Sequence, residues 1–217
     1  MKVLVIIGVF VFASCRTTSK EATLLKPLNV RDTTIILKNG LGNISLAIPK
    51  RYDTFLVWTH FSDCSSCGYE KYRFQSSELP IYLESGWIWN DRKDSVDQFT
   101  IEHSQYIRIS DSLYPTAINS LHERMLDNAK YEPLMYQDKS RFDTIQEING
   151  KQYSIITSDY YNDSTKLFSK AVWATTLIKG NSLEFKFSLL TKHKDSICDN
   201  FVRDSKQLLY QIKSNNL

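Results

Sequence analysis

The stretch Lys170-Ala-Val-Trp-Ala-Thr-Thr-Leu-Ile178 is followed, after Lys179-Gly180-Asn181-Ser182, by Leu183-Glu-Phe-Lys-Phe-Ser-Leu-Leu190. β-branched and aromatic residues are frequent in both flanks, and the four residues between them have the glycine and asparagine typical of a turn. This pattern predicts an antiparallel β-hairpin in the last quarter of the chain.

A helix is predicted directly after this hairpin. Ser196-Ile-Cys-Asp199 has the spacing of a capping box, in which a serine caps the first turn and an acidic residue reaches back to it. Apolar residues then recur on one side at helical spacing, at Ile197, Phe201, Leu208 and Ile212. An amphipathic helix of this kind packs its apolar side on a sheet.

Two more hairpins are predicted by Asn-Gly pairs, the strongest short turn signal. Asn39-Gly40 joins strands at 33–38 and 43–48, and Asn149-Gly150 joins strands at 142–148 and 151–157. Pro49 ends the strand at 43–48, because it cannot donate a hydrogen bond to a neighbour. Other strands are predicted at 54–61, 69–75, 81–90 and 98–109. A middle helix follows Pro115, with an apolar side formed by Ile118, Leu121, Met125 and Ala129.

These elements predict an α+β fold: an antiparallel β-sheet meander with a middle helix and a C-terminal helix packed on it. The 12 Tyr, 11 Phe and 4 Trp favour strands, while glycine and proline are few. Lys and Arg number 27 against 24 Asp and Glu, and no basic block is present, so we expect no nucleic-acid partner. A single α+β domain is predicted at 31–217.

The first residues have the pattern of a secretory leader. Lys2 gives a positive end, residues 3–13 carry no charge, and Ala13-Ser14 supplies small residues at the end of the run. Eleven helical residues extend about 16 Å, roughly half of the ~30 Å hydrocarbon core, so this run is too short to span a bilayer. We predict a lipoprotein signal peptide at 1–14 and a polar, flexible tether at 15–30.

Phe12-Ala13-Ser14-Cys15 resembles the lipobox of gram-negative bacterial lipoproteins, although the first lipobox position is usually Leu, Val or Ile. The resemblance implies that Cys15 is lipidated and attaches the mature protein to a membrane. The alternative is an unmodified Cys15 in a cleaved or buried N-terminus. Residues 16–21 lack the acidic cluster that sends some lipoproteins to the cell surface. The expected location is therefore the cell envelope, at the outer membrane and facing the periplasm.

The order of elements from Ile44-Ser-Leu-Ala-Ile-Pro49 to the closing hairpin and helix resembles the PsbP-like α/β/α sandwich. The resemblance implies a fold often used for binding or assembly rather than catalysis. On this basis we expect a non-catalytic binding or assembly module whose partner is an unknown envelope protein or ligand. An inhibitor of a delivered toxin is compatible with the same features.

Cys64-Ser65-Ser66-Cys67 is the candidate for reactivity. One interpretation is a redox-active thiol–disulfide pair, which would make the protein a membrane-tethered thiol-disulfide oxidoreductase. The other is a structural disulfide at a hairpin tip, because Gly68 and the aromatic residues after it fit a strand better than a helix. A third interpretation is a zinc site with His60, Cys64 and Cys67 as three ligands and His193 or Cys198 as the fourth, but the second ligand pair, His193 and Cys198, is loosely spaced. Cys198 alternatively belongs to the apolar side of the last helix.

No complete catalytic motif is present, and neither a cofactor nor a metal is predicted. His122-Glu123 begins like the His-Glu-x-x-His zinc motif, but Leu126 occupies the position of the second histidine. His60, His103 and His193 are scattered and are interpreted as strand or turn histidines. There is also no Gly-x-Ser-x-Gly, Walker A loop or dinucleotide fingerprint.

The pattern Asp-(Ser/Thr)-(aliphatic or Thr) occurs six times, where composition predicts about one match. It resembles the O-glycosylation signal of exported proteins in one group of gram-negative bacteria. The alternative interpretation is turn and helix-capping chemistry. The aspartates concerned are Asp32, Asp94, Asp111, Asp143, Asp163 and Asp195.

Overall fold

The computed structural model describes residues 28–61, 63, 67–81, 95–105, 118–130 and 141–215. In chain order its elements are β1 (Val30–Leu37), β2 (Gly42–Pro49), β3 (Thr54–His60), β4 (Tyr69–Gln75), β5 (Val96–Ser104), α1 (Ile118–Ala129), β6 (Arg141–Ile148), β7 (Lys151–Asn162), β8 (Leu167–Ile178), β9 (Asn181–Thr191), α2 (Ser196–Leu209) and β10 (Lys213–Asn215).

The three predicted hairpins are confirmed as β1–β2, β6–β7 and β8–β9. In the β6–β7 turn, Asn149 and Gly150 have φ values of 50° and 77°, the left-handed conformation that a two-residue hairpin turn requires. Lys179 and Gly180, between β8 and β9, adopt the same left-handed conformation, with φ values of 47° and 73°. Because that turn needs only two residues, β9 begins at Asn181, inside the predicted four-residue turn.

The α+β class and the antiparallel sheet are confirmed, but the strands do not form one continuous meander. A seven-stranded sheet has the order β3-β4-β5-β9-β8-β7-β6, and a separate three-stranded sheet has the order β1-β2-β10. The N-terminal run β3-β4-β5 joins the C-terminal meander through β5 and β9, which are far apart in the chain. Local pattern does not specify such a junction, because it depends on which strand edges meet in space.

Helices α1 and α2 lie on opposite faces of the seven-stranded sheet. Ile155 and Ile156 are consecutive in β7, so their side chains point to opposite faces. Ile155 belongs to the large core beneath α2 and the three-stranded sheet. Ile156 belongs to a smaller cluster formed with Met125 and Ala129 of α1 and with Trp173 of β8. The seven-stranded sheet is therefore the middle layer of the domain.

Strand β10 was not predicted, since Lys213-Ser-Asn215 has no strand pattern. Its position depends on Asn149, whose side-chain amide donates to the backbone oxygens of Tyr210 at 3.1 Å and Ile212 at 2.8 Å. These two bonds fix the chain as it leaves α2, and β10 then pairs antiparallel with β2. The turn residue of one hairpin thus helps to complete the second sheet.

The predicted cap of α2 is displaced by one residue. Asp195, not Ser196, is the N-cap, and its carboxylate accepts a 2.8 Å hydrogen bond from the backbone N–H of Cys198. A carboxylate at this position also interacts favourably with the positive end of the helix dipole. Asp199 lies in the first turn but does not form the predicted capping box with Ser196.

We expect Asp195→Ala to lower the free energy of unfolding by about 1 kcal/mol, because it removes the acceptor for an otherwise unpaired backbone N–H. Urea unfolding at pH 7 measures this value. The matched control is Asp199→Ala, which keeps the cap and should lose only a few tenths of a kcal/mol. Equal losses in the two variants would show that Asp195 does not act as a cap.

The remaining predicted boundaries differ from the observed ones by a few residues or lie outside the described part of the chain: β7 continues to Asn162 instead of ending at 157, and β8 begins at Leu167 instead of at 170. β1 begins at Val30, the last residue of the predicted tether, and pairs there with Pro49. The predicted strand at 81–90 lies outside the described residues beyond Ile81, and so do residues 106–109 of the strand predicted at 98–109 and Pro115. Within the described part of the chain, no helix has both the length and the apolar character needed to cross a bilayer.

Candidate functional site: a charged cleft beside α1

An open cleft of about 360 Å³ lies on the sheet face that α1 partly covers. The pairing of the strands explains which side chains meet there. Lys71 of β4 is the direct partner of Glu102 in β5, and Glu102 is the direct partner of Glu184 in β9. Side chains that are paired across adjacent antiparallel strands point to the same face. Lys186 and Trp173, also paired across strands, complete this wall.

Four of these side chains form a continuous chain of ion pairs, which we name the charged cluster: Lys71, Glu102, Lys186 and Glu184. The ammonium of Lys71 lies 3.3 Å from Oε1 of Glu102, and that of Lys186 lies 2.9 Å from Oε2. Lys186 also lies 3.1 Å from Oε2 of Glu184. The two positive and two negative charges of the cluster cancel, and its side chains are largely buried.

Trp173 anchors the cluster on the α1 side. Its indole N–H donates a 3.1 Å hydrogen bond to Oε2 of Glu184, and the ammonium of Lys186 lies 4.7 Å from the ring centroid. A cation above an indole ring is attracted by its electron-rich face. Lys186 is therefore held by two carboxylates and one aromatic ring.

The electrostatics of the cluster keep its central carboxylate ionised. Burial alone would raise the pKa of Glu102, but the ammonium groups of Lys186 and Lys71 outweigh burial and hold that pKa well below its usual range. A carboxyl group with a depressed pKa does not carry a proton near neutral pH. Glu102 is thus suited to holding charges and accepting hydrogen bonds, and not to acting as a general acid.

The rim of the cleft carries polar groups of a different kind. Tyr69 is 38% exposed, and burial, followed by the carboxylate of Glu184, raises the pKa of its phenol. Asn128, exposed on α1, lies on the other side. Within the described part of the chain, no hydrogen bond engages the Tyr69 hydroxyl, the Asn128 amide or Oε1 of Glu184.

Another cationic side chain, besides the two lysines of the charged cluster, is buried next to this cleft. Arg73 lies two residues beyond Lys71 on the same strand and is 2% exposed. Its guanidinium lies 4.6 Å from the ring centroid of Trp58, and its Nε donates to Thr100 at 3.4 Å. Two successive side chains on the polar face of β4, those of Lys71 and Arg73, are therefore buried.

The cysteine predictions are tested only in part. Cys15 and Cys64 lie outside the described residues, so lipid attachment and a Cys64–Cys67 pair stay predictions. Cys67 is disulfide-bonded, although no described residue is its partner. It lies in the β3–β4 connection and is followed by a strand, as the sequence indicated, and not by a helix. Gly68 sits tightly against Gln105, where a Cβ would lie 2.1 Å from the glutamine side-chain oxygen.

The zinc interpretation is not supported by the positions of its proposed ligands. Cys198 is a free thiol that is 1% exposed in the large core beneath α2, which confirms its interpretation as a core residue. His60 lines the cleft on the opposite sheet face. The described residues contain no group of three metal-ligating side chains.

A Ser–His–Asp hydrogen-bond chain connects α1 with the sheet, and the sequence did not indicate it. His122 Nδ1 lies 2.7 Å from Oγ of Ser154, and its Nε2 lies 3.1 Å from Oδ1 of Asp143. These residue types form catalytic triads, but Ser154 is 0% exposed, so a substrate cannot reach its hydroxyl. The chain fixes α1 on β6 and β7.

The Asp-(Ser/Thr) sites do not share one structural role. Asp195 caps α2, Asp32 and Asp143 lie in strands, and Asp163 lies in the turn between β7 and β8. Asp94 and Asp111 lie outside the described residues. Ser164 and Ser196, two of the hydroxyl residues, are exposed. Capping chemistry thus accounts for Asp195, and glycosylation stays a prediction.

His103 is a buried histidine on the opposite face. Its Nδ1 lies 2.8 Å from the backbone oxygen of Ser104, which can only accept, so Nδ1 carries the proton. Nε2 then accepts from the Tyr72 hydroxyl at 3.3 Å, and that hydroxyl accepts from the Lys38 backbone N–H at 2.8 Å. Burial lowers the pKa of His103, as does the Lys38 ammonium, while the Ser104 carbonyl and the Glu70 carboxylate oppose this shift.

We expect this neutral histidine to make the protein less stable as pH falls. The unfolded chain binds the His103 proton first, near its ordinary pKa of about 6.5, so stability falls from that pH down to the lowered pKa of the folded state. For one proton the slope reaches at most about 1.4 kcal/mol per pH unit. Urea unfolding between pH 5 and 7.5 should give a flatter profile for His103→Gln than for the wild type. His193→Gln, in the exposed β9–α2 connection, is the control; the same slope in both variants would contradict the assignment.

Comparisons with known proteins show only distant similarity. No family model and no curated protein matches the chain. A crystal structure from Bacteroides thetaiotaomicron VPI-5482 is similar over 84% of this chain and 48% of its own length, with 10% identity and a TM-score of 0.38. The structure of PA94, a protein of unknown function from Pseudomonas aeruginosa, is similar over 86% of this chain and 99% of its own, with 11% identity and a TM-score of 0.35. This chain spans about half the length of the Bacteroides protein.

The residues of the cleft were missed by sequence reasoning for a physical reason. Glu184 and Lys186 alternate with phenylalanines in β9, and Lys71 and Arg73 alternate with aromatic residues in β4. Alternation of this kind normally indicates a strand with one solvated face. The signal that could have identified the site is the pairing of opposite charges at matching positions of several strands, but that pairing requires the strand order.

Proposed function

We propose that this protein is a lipid-anchored cell-envelope lipoprotein whose α+β domain is a non-catalytic binding or assembly module. The observation that carries the proposal is the leader, in which a short apolar run ends in Phe12-Ala-Ser-Cys15. Lipidation at Cys15 would place the domain at the outer membrane, facing the periplasm. One acyl chain gives only marginal membrane binding, whereas lipoproteins of this type carry three.

The charged cluster supports the non-catalytic part of this proposal. Its carboxylates and ammonium groups are held in ion pairs at 2.9–3.3 Å, and the pKa of Glu102 is lowered and not raised toward neutral pH. Catalytic acids and bases instead have pKa values matched to the working pH. A polar cleft with fixed charges and a rim of open hydrogen-bonding groups suits binding.

We also propose that the domain has the PsbP-like α/β/α sandwich fold. It is supported by the placement of α1 and α2 on opposite faces of the seven-stranded sheet. The coarser α+β class does not depend on it.

Metabolic labelling with an alkyne fatty acid tests the anchor. We expect the full-length wild type to be labelled and to stay with the membrane fraction, and Cys15→Ser to be unlabelled and released. Cys198→Ser is the matched control, because it removes another sulfur but leaves the leader intact, and it should be labelled like the wild type. Equal absence of label from the wild type and Cys15→Ser, with both proteins found in the soluble fraction, would refute the proposal.

The alternative, a membrane-tethered thiol-disulfide oxidoreductase using Cys64 and Cys67, has less support. The helix N-terminus that lowers the pKa of a reactive thiol in such enzymes is replaced here by strand β4. A redox titration of the full-length protein separates the two functions. A potential below about −300 mV indicates a structural disulfide, and a potential in the range of the disulfide oxidoreductases favours the enzyme.

A further inference from the structure

We infer that the cleft beside α1 binds a neutral, polyhydroxylated ligand, of which a saccharide is the common form. The inference deepens the proposed binding function and rests on it. It is argued from the charge balance of the cleft, from its open hydrogen-bonding groups and from the exposed aromatic ring at its rim.

The charge balance disfavours ionic ligands. Both carboxylates of the charged cluster face Lys186, and Glu102 also faces Lys71. An anionic ligand would have to displace a carboxylate from a lysine, and a cationic ligand would have to displace a lysine from a carboxylate. Either exchange would leave one largely buried charge without its partner, which costs several kcal/mol. A neutral ligand leaves every ion pair in place.

The open groups of the cleft match hydroxyl groups. Oε1 of Glu184 is an acceptor, the Asn128 amide is both a donor and an acceptor, and so is the Tyr69 hydroxyl. Within the described structure none of the three has a hydrogen-bond partner. A hydroxyl group donates and accepts at one atom, so a ligand with several hydroxyls can engage all three groups without a net charge of its own.

The shape of the cleft and of its rim also favours a polyhydroxylated ligand. Tyr69 exposes 38% of its surface at the rim, where its ring offers a flat apolar surface beside a polar hydroxyl. A pyranose ring likewise has an apolar C–H face and an equator of hydroxyls. The cleft volume of about 360 Å³ is within the range of about 300–1,000 Å³ for small-molecule sites.

The test uses the full-length, lipidated protein in detergent micelles on an array of neutral, anionic and cationic oligosaccharides. We expect binding to one or more neutral oligosaccharides. Tyr69→Ala and Asn128→Ala should each weaken binding of the same oligosaccharide about tenfold, because each removes a contact without emptying the core. Both residues are exposed, so both variants should fold.

Matched controls are available for both variants. The control for Asn128→Ala is Asn119→Ala, which removes an exposed asparagine from the same helix. The control for Tyr69→Ala is Tyr161→Ala, which removes a tyrosine that is 42% exposed on β7. Neither Asn119 nor Tyr161 lines the cleft. Both controls should bind like the wild type. Absence of binding to every neutral oligosaccharide, binding restricted to charged ones, or equal effects of the cleft and control variants would overturn the inference. Fatty-acid labelling of the same preparation measures separately whether Cys15 is lipidated. The ligand inference can therefore fail while the proposed lipid anchor stands.

Discussion

Glu102→Gln is expected to lower the free energy of unfolding by about 3 kcal/mol, because it leaves two lysine ammonium groups in a largely buried place without their shared carboxylate. The Glu102 side chain is 10% exposed, and those of Lys71 and Lys186 are 8% and 24% exposed. The partial exposure of Lys186 keeps the expected loss at the lower end of the range of about 3–5 kcal/mol for buried pairs. Urea unfolding at pH 7 measures it.

The matched control is another acid-to-amide change in an ion pair at the surface. Asp127 pairs with Lys130 at 2.9 Å, but their side chains are 73% and 54% exposed. Water screens such a pair, so Asp127→Asn should change stability by less than about 0.5 kcal/mol. If Glu102→Gln were as mild as Asp127→Asn, the charged cluster would not be a stabilising unit.

Acid titration gives a second measurement of the same residue. The pKa of Glu102 is lowered in the folded state, so its stabilising contribution is complete above the unfolded pKa of about 4.3 and is lost as pH falls toward the folded value. The wild type should therefore lose stability more steeply below pH ~4.5 than Glu102→Gln. Parallel acid profiles for the two proteins would contradict the lowered pKa.

A fourfold replacement separates the cost of breaking the cluster from its net contribution. Apolar residues at all four positions, as in Lys71→Met, Glu102→Leu, Glu184→Leu and Lys186→Met together, remove the charges and their desolvation cost at once. We expect this variant to be more stable than Glu102→Gln alone. If so, the stability of the fold does not require the cluster, and a binding role in the cleft would account for it.

The contrast between the fold and the cleft shows what local sequence can predict. The Asn-Gly turns at Asn39 and Asn149 depend on neighbours within a few residues, and both were predicted correctly. The stripe of α2 was predicted only in part, because Ile197 is 38% exposed and Ile212 lies beyond the end of the helix. The pairing of β5 with β9 and the addition of β10 to β2 depend on contacts between distant segments, and neither was predicted. The cleft belongs to the second kind, since Lys71, Glu102 and Glu184 meet only after β5 and β9 pair.

The corrected cap of α2 illustrates a smaller limit. Asp195 and Ser196 are both good N-cap residues, and they are adjacent. Ser196 had an acidic residue three positions later, which favoured it by pattern. The helix instead uses Asp195, whose carboxylate is a charged acceptor for the backbone N–H of Cys198. Local pattern does not choose between two adjacent residues that can both cap a helix.

Phe99→Ala should be among the most destabilising single changes to the core, with a loss of about 3–5 kcal/mol in the free energy of unfolding. Phe99 is 1% exposed and lies in β5, where the N-terminal strands meet the C-terminal meander. Its ring stacks on that of Phe187 with centroids 4.2 Å apart and lies 6.1 Å from that of Phe74. Removing this ring leaves a cavity between two strands that no turn connects.

The phenylalanines form a ladder that provides its own control. Phe55, Phe74, Phe99 and Phe187 are successive cross-strand partners over β3, β4, β5 and β9. Phe55 begins the ladder and is 46% exposed, so Phe55→Ala leaves no closed cavity and should cost only about 1 kcal/mol. Guanidinium unfolding of both variants, with fluorescence and circular dichroism followed together, measures the two losses. Because β5 carries the junction of the sheet, a loss at Phe99 no larger than that at Phe55 would mean that the two halves are held together elsewhere, through the three-stranded sheet or α2.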